Sequence, residues 1–390
     1  MSVLYFDNSA TTRISEEALR TYNEVSLEHF GNPSSLHTLG LDAEHVLEDC
    51  RREVRRALGV RDGTIVFTSG GSESNNLAIL GRAYAKERFR RGAKILTTKG
   101  EHASVSAPLA ELSRAGFTVV EISTKGGTLD MDELAREMTP EVILISMMHV
   151  NNETGALYDL AAVSEQMHRT APEAVLHVDA TQSFLKVPFT AASVGADMIS
   201  VSSHKIEGPK GVGALYVSDK LIKAKGITAR ILGGGQEGGL RSGTENVPAI
   251  AAFGTACRIG LAERTARIER MSALRQMLLR TLAEHPATAE VSVTCPPVCA
   301  PHIVNITLPA IKSETMLHYL SRRGICVSSG SACSSHGAHA SPALIAFGRT
   351  PSEADCSLRI SLSHRNTEGE LEQLTEALAQ GIGSLSRMRR

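Results

Sequence analysis

Between residues 64 and 217, short apolar or β-branched runs alternate with longer stretches whose apolar positions recur at helical spacing. The runs are "TIVFTSG", "KILTTKG", "TVVEIS", "VILISMMHV", "AVLHVDA", "DMISVSS" and "GALYVS". They are continuously apolar, and amphipathic segments such as "SNNLAILGRAYAKERFRRG" and "DLAAVSEQMHRTAPE" separate them. That pattern predicts an α/β fold with a mainly parallel seven-stranded sheet covered by helices on both faces. Ligands bind such sheets beyond the carboxyl ends of the strands.

The pattern changes after residue 217. A glycine-rich connector, "ILGGGQEGGLRSGTENVPA", leads into one long helical pattern over 248–285. From "HIVNITLPA" onward the expected order is strand, helix ("SETMLHYLSRRG"), a Ser/Gly/Cys/His loop over 328–341, strand ("SLRISLS") and a terminal helix over 367–386. This predicts a large domain over 16–258 and a smaller α+β domain made of 1–15 and 259–390.

Composition narrows the function. A chain of 390 residues has ample core for two domains. With 41 basic and 42 acidic residues and a net charge of −1, no global field favours nucleic acid or an anionic membrane. No apolar run reaches the roughly 18 residues that would span a bilayer, and "MSVLYFDNSATT" is not a charged-then-apolar leader, so the expected compartment is the cytoplasm. Seven cysteines scattered along the chain fit reduced thiols. "CPPVCAPH" sets Cys295, Cys299 and His302 at spacings that could ligate zinc, but no fourth ligand is apparent. An exposed loop without metal is the expectation there. "GGGQEGG" lacks the Gly-Lys-Ser/Thr ending of a nucleotide-binding loop.

The residues closing the strands carry the candidate chemistry. "IVFTSG" runs into "GSESNN", where Gly70, Gly71 and Ser72 open a helix and make either an anion cradle or an ordinary N-cap. His102 follows another strand and means little alone. Asp179 and Gln182 end "LHVDATQS", and Asp179 is either a cap or a deliberately placed charge. Lys205, in "SSHKIEGPKG", follows an apolar strand and sits beside small hydroxyl residues and His204, which suits a lysine held in place for Schiff-base chemistry. An anion cradle, a lysine amine and an acid suited to a pyridinium nitrogen are the three attachments that pyridoxal phosphate needs.

The motifs "FDNSATT", "FGNPSSLH", "FTSGGSESNN", "MMHVNNETG", "HVDATQS", "SSHKIEGPKGVGALYV", "LRSGTENV" and "VSSGSACSS" occur in the order seen in cysteine desulfurases of the NifS/IscS type. Over nearly its whole length the chain resembles that group, within the class V aminotransferases of fold type I. The resemblance implies that Lys205 carries pyridoxal 5'-phosphate as a Schiff base, Asp179 keeps the ring nitrogen protonated, Gln182 contacts the ring oxygen and His102 stacks on the ring. Gly71, Ser72, Ser202 and His204, with Ser203 beside them, would hold the phosphate. Thr244 would reach in from the second subunit of a homodimer, and Asn152 would complete the cofactor contacts. Arg359 matches the residue that grips the substrate carboxylate, with Asn32 as a further substrate-side contact or a turn residue before Pro33.

By the same resemblance, Cys333 is the nucleophile that takes sulfur from L-cysteine as a persulfide, releases L-alanine and passes the sulfur to an acceptor protein for iron–sulfur cluster assembly or tRNA thiolation. His102, His336 and His339 are candidates to accept the thiol proton. The alternative is another class V pyridoxal phosphate enzyme, an aminotransferase or a selenocysteine lyase, with Cys333 incidental. Two features depart from the family pattern. Glu207 stands where an aromatic is common, and the loop after Cys333 is longer and richer in histidine.

Overall fold

The structure is a computed structural model that describes residues 3–86, 92–329 and 340–387. It begins with a short strand, β1 (Leu4–Tyr5), followed by two helices, Glu16–Glu28 and Thr38–Leu58. Then come the seven strands expected from the apolar runs: β2 (Thr64–Thr68), β3 (Lys94–Thr98), β4 (Thr118–Ile122), β5 (Val142–Met148), β6 (Val175–Asp179), β7 (Met198–Ser202) and β8 (Gly213–Val217).

These seven form one sheet in the order β2-β8-β7-β6-β5-β3-β4. Only β8 is antiparallel to its neighbours. Every residue of β5, β6, β7 and β8 is buried, because helices cover both faces of the sheet. One face carries a core that includes Leu58, Phe67, Ile145 and Phe253. The opposite core includes Leu77, Ile79, Val105, Leu109 and Leu215.

The pattern over 248–285 forms two helices, Val247–Ala262 and Arg264–Glu284, which meet at Glu263. The break has a packing reason. Phe253 and Cys257 of the first helix belong to the large core, whereas Leu274 and Leu278 of the second belong to a third core. That core lies against a four-stranded antiparallel sheet of β9 (Ser292–Thr294), β10 (Ile303–Thr307), β12 (Ser328–Ser329) and β13 (Ser357–Ser361), in the order β12-β13-β10-β9. Between them in sequence, β11 (Ile325–Cys326) pairs in parallel with β1. Leu4 and Phe6 thereby join Met316, Leu320, Leu358, Leu374 and Leu378 in the third core.

The stretch around Cys295 differs from the expected exposed loop at one end. Cys295 is exposed, Cys299 forms an isolated bridge with Ala156, and His302 is fully buried because it leads directly into β10. Among the described residues, no group of three or more His, Cys, Asp or Glu side chains is placed to hold a metal. No helix among them is long and apolar enough to cross a membrane.

Candidate active site

The carboxyl ends of β2, β6 and β7 open into a cavity of about 370 Å³. Ten residues singled out in the sequence line it: Gly71, Ser72, His102, Asn152, Asp179, Gln182, Ser202, His204, Lys205 and Arg359. The strands explain the convergence. Asp179 and Ser202 are the last residues of β6 and β7, two adjacent parallel strands, and Lys205 lies on the turn just beyond β7.

One end of the cavity is built for an anion. The helix Gly71–Ala83 starts here behind Gly70, whose φ of 151° suits glycine, and no side chain caps its first turn. Ser72 is therefore not the N-cap. The open N–H groups and the positive end of the helix dipole face the cavity. The hydroxyls of Ser202 and Thr181 are buried there without a hydrogen-bond partner among the described residues. A Cβ added at Gly71 would come within 2.9 Å of Thr181 Oγ1, so the close approach requires glycine. Burial foremost, then the charges of Lys205, Lys210 and Lys186, push His204 down to about 4, which leaves it a neutral donor. Uncharged donors at a helix start fit a phosphate dianion.

Asp179 is held in orientation. Its Oδ2 accepts from Asn75 Nδ2 at 2.8 Å and its Oδ1 from the Thr181 N–H at 2.9 Å. The same Asn75 amide donates to Ser104 Oγ at 2.8 Å, and Ser104 Oγ lies 2.8 Å from His102 Nδ1. The backbone N–H of Ser104 also donates to His102 Nδ1, at 3.1 Å, so His102 is the N-cap of the helix Ala103–Arg114. Burial lowers the His102 pKa, with Asp179 opposing. Neutral, and accepting at Nδ1, His102 carries its proton on Nε2. In this tautomer the free nitrogen is a donor, so His102 is not poised to accept the proton of a thiol.

On the opposite wall, Arg359 Nη1 donates to the Asn152 carbonyl and Nη2 to Asp7 Oδ1, both at 2.9 Å. It is a buried arginine rather than one in a surface ion pair. Lys205 Nζ donates to the carbonyls of Ser9 and Ala10 at 2.6 and 2.8 Å. Gln182 Nε2 also donates to the Ser9 carbonyl, at 2.9 Å, which leaves its buried Oε1 unpartnered. That acceptor suits a protonated partner.

Three expected contacts lie elsewhere. The Ser203 hydroxyl is buried against Gly208, on the side of the turn away from the cavity. Asn32 is exposed, and its Oδ1 accepts from the Ser34 N–H at 2.9 Å, which makes it a turn residue within this chain. Thr244 is exposed and outside the cavity wall within this chain. Cys333, His336 and His339 lie outside the described residues. Both flanks of their segment reach the site. Ser328 lines the cavity, and Ser341 Oγ donates to Glu153, next to Asn152, at 2.6 Å.

Sequence reasoning missed Asp7, Ser9, Thr181 and Ser104 as wall residues, and Asn75 as the link between Asp179 and Ser104. Asp7 and Ser9 belong to the polar run after the first short strand, which signals a site only once that strand is seen to enter the small sheet. Glu207 now has a physical account. Its buried carboxylate accepts from Arg365 at 2.7 and 3.1 Å and pairs with Arg267 at 3.3 Å. A wider cleft of about 1070 Å³ runs past Lys99, Glu101, Lys125 and Arg349, but none of the candidate site residues singled out in the sequence lines it.

Residues 4–374 match the family model described as aminotransferase class-V. The chain is 38% identical to a protein named cysteine desulfurase IscS 1 from Archaeoglobus fulgidus, covering 98% of each. Among solved structures, a NifS-like protein superposes with a TM-score of 0.89 at 33% identity, covering 99% of this chain and all of that one. A structure described as SspA in complex with cysteine does so with a TM-score of 0.78 at 30% identity, covering 93% and 99%.

Proposed function

The chain belongs to the class V aminotransferase family, and from that premise we propose that it is a pyridoxal phosphate-dependent cysteine desulfurase. It converts L-cysteine to L-alanine and takes the sulfur as a persulfide on Cys333. The observation that carries this reading is the convergence of Lys205, Asp179, an uncapped helix start with unpartnered hydroxyls, and Arg359 on one cavity. A relative at 38% identity named as a cysteine desulfurase supports it.

When bound, the cofactor supplies an electron sink for the substrate's α-carbon. Ser72, Ser202, Thr181, His204 and the N–H groups of Gly71 and Ser72 would hold its phosphate, Asp179 would keep the ring nitrogen protonated, and Lys205 Nζ would bind its aldehyde. The Arg359 fork receives the substrate carboxylate and so sets which way the α-hydrogen and the sulfur point. Released when the substrate amine takes its place, Lys205 Nζ would take the α-proton. His102, with its proton on Nε2, keeps a donor over the reacting centre. The Cys333 thiolate attacks the substrate sulfur; the S–S bond forms as the C–S bond breaks, and the carbon fragment leaves as alanine after protonation.

The finer assignments extend this reading. The large unit over 16–258 carries the cofactor, and the smaller one, 1–15 with 259–390, carries Cys333 and Arg359. A homodimer, with Thr244 crossing to the neighbouring cavity, is supported by the exposed apolar residues Leu27, Phe30, Leu36, Leu41 and Leu232. The sulfur passes to an acceptor protein of iron–sulfur cluster assembly or tRNA thiolation. A cytoplasmic setting fits the six described cysteines, among which no disulfide forms.

Alanine and persulfide formation from L-cysteine by wild type and Cys333→Ala tests the function, with the visible spectrum recorded for both. The expected result is two yellow proteins, of which only wild type yields either product. Equal alanine from both, or none from either despite bound cofactor, would replace this reading with an aminotransferase or selenocysteine lyase.

A further inference from the structure

Lys205 belongs to two walls. Besides the candidate active site, it lines a smaller cavity of about 40 Å³ that Asn8, Lys186, Glu207, Arg267 and His364 close. A space of that size holds a few water molecules. Lys186, on the loop after β6, is 8% exposed, and its buried Nζ has no hydrogen-bond partner among the described residues. A buried ammonium left in that state is costly.

The imidazole of His204, on the turn after β7, lies close enough to Lys186 to feel its charge. Lys205 and Glu207 face Lys186 from the same turn, Arg359 from β13, His302 from the residue before β10, Arg267 from the helix Arg264–Glu284, and His364 from beyond β13. The one carboxylate in this set, Glu207, is already engaged by Arg365 and Arg267. Burial holds His302 and His364 below the usual histidine range. Burial first, then the charge of Lys205, pushes Lys186 down to about 7. At neutral pH and above, Lys186 is therefore a base within the protein, beside the amine whose protonation state matters.

Resting on the reading that Lys205 binds the cofactor's aldehyde, we propose that Lys186 is a positioning residue that accepts the proton of Lys205, so that the two amines lining the small cavity hold one positive charge between them. The ammonium of Lys205 gives a proton to the neutral amine of Lys186 through water in the cavity. One N–H bond breaks, one forms, and the net charge of the pair does not change. Burial first, with the charge of Lys205 adding to it, keeps the two amines from both being charged above the Lys186 pKa. While the pair carries a single proton, the neutral fraction of Lys205 depends on the difference between the two proton affinities and not on pH. A lysine without such a partner loses its neutral form about tenfold per pH unit below its pKa.

The test is the rate at which the full-length chain, stripped of cofactor, condenses with pyridoxal phosphate, followed by the absorbance of the bound chromophore. Each rate is divided by that of a simple neutral amine with the same aldehyde at the same pH. Wild type should give a plateau from about pH 7 upward, falling below it as Lys186 becomes charged. Lys186→Met, checked for an unchanged melting temperature, should instead fall about tenfold per pH unit through the same range. Superimposed profiles would overturn the proposal. So would a wild-type profile without a plateau, a result that needs no variant to fold. Lys205→Ala separates the two claims: if a bound chromophore still forms, the assignment of Lys205 fails along with the reading on which this rests.

Discussion

Arg359 Nη2 donates to Asp7 Oδ1 at 2.9 Å, tying β13 to the segment after β1 at the cavity wall. With Nη1 held by the Asn152 carbonyl, the guanidinium is oriented before any substrate arrives. Preorganisation of this kind is lost when a fork becomes a point charge. Arg359→Lys should lower kcat/KM for L-cysteine by about 10- to 100-fold, the equivalent of one charged hydrogen bond. The cofactor spectrum should not change. Steady-state kinetics check this, and an unaltered kcat/KM would remove Arg359 from the substrate site.

Asn75 keeps Asp179 and Ser104 in register through one amide nitrogen. Asn75→Asp puts a second carboxylate within 3 Å of Asp179, and like charges that close raise each other's proton affinity. Cofactor affinity at pH 8 should fall at least about tenfold and recover as the pH is lowered and the pair takes up a proton. Equilibrium binding of pyridoxal phosphate across pH measures it.

Glu207 joins the turn that carries Lys205 to Arg267 and Arg365. Burial opposes its ionisation, but the hydrogen bonds from Arg365 and the charge of Arg267 outweigh it and hold the carboxyl below the usual range. Glu207→Gln should cost about 2 kcal/mol, discounted because Arg365 is largely exposed. Since the folded pKa is depressed, the wild-type advantage is complete above the unfolded value of about 4.3 and disappears as the pH falls through the folded one. Urea midpoints of both proteins at pH 7 and at progressively lower pH test sign and window together.

Glu101 shows the opposite linkage. Part of the residue borders the wide cleft, but its carboxyl group accepts the buried Met148 N–H, and burial pushes it up to about 8. The folded protein therefore keeps a proton that the unfolded chain releases near pH 4.3, and stability falls as the pH rises from there toward 8. Glu101→Gln should remove this slope and gain on wild type at pH 8. Parallel melting curves for the two proteins between pH 6 and pH 8 would contradict it.

Legibility in the sequence followed the length of the pattern. All seven strands of the large sheet were visible because each is a five- to seven-residue apolar run. β1 and β11 are two residues each and carry no periodicity, so their pairing, and with it the wall formed by Asp7 and Ser9, was not. The break at Glu263 was hidden because no proline marks it, and only packing shows that its two helices enter different cores. Lys205, Asp179 and the glycines at the helix start stood out as polar or small residues closing apolar strands. Asn75 and Lys186 did not, since each works through a partner distant in sequence.

The segment from Tyr5 to Ala10 meets residues far along the chain: Asn8 Nδ2 donates to the Ser361 carbonyl, Arg359 to Asp7, and Lys205 to the Ser9 and Ala10 carbonyls. Contacts spanning more than 350 residues are among the last a chain can close. On the ribosome, the early residues must wait for β13 to emerge before the cavity has its final wall. An unfinished chain that stops short of β13 thus holds Lys205 but not Arg359 or the cavity wall that Arg359 and Asp7 complete.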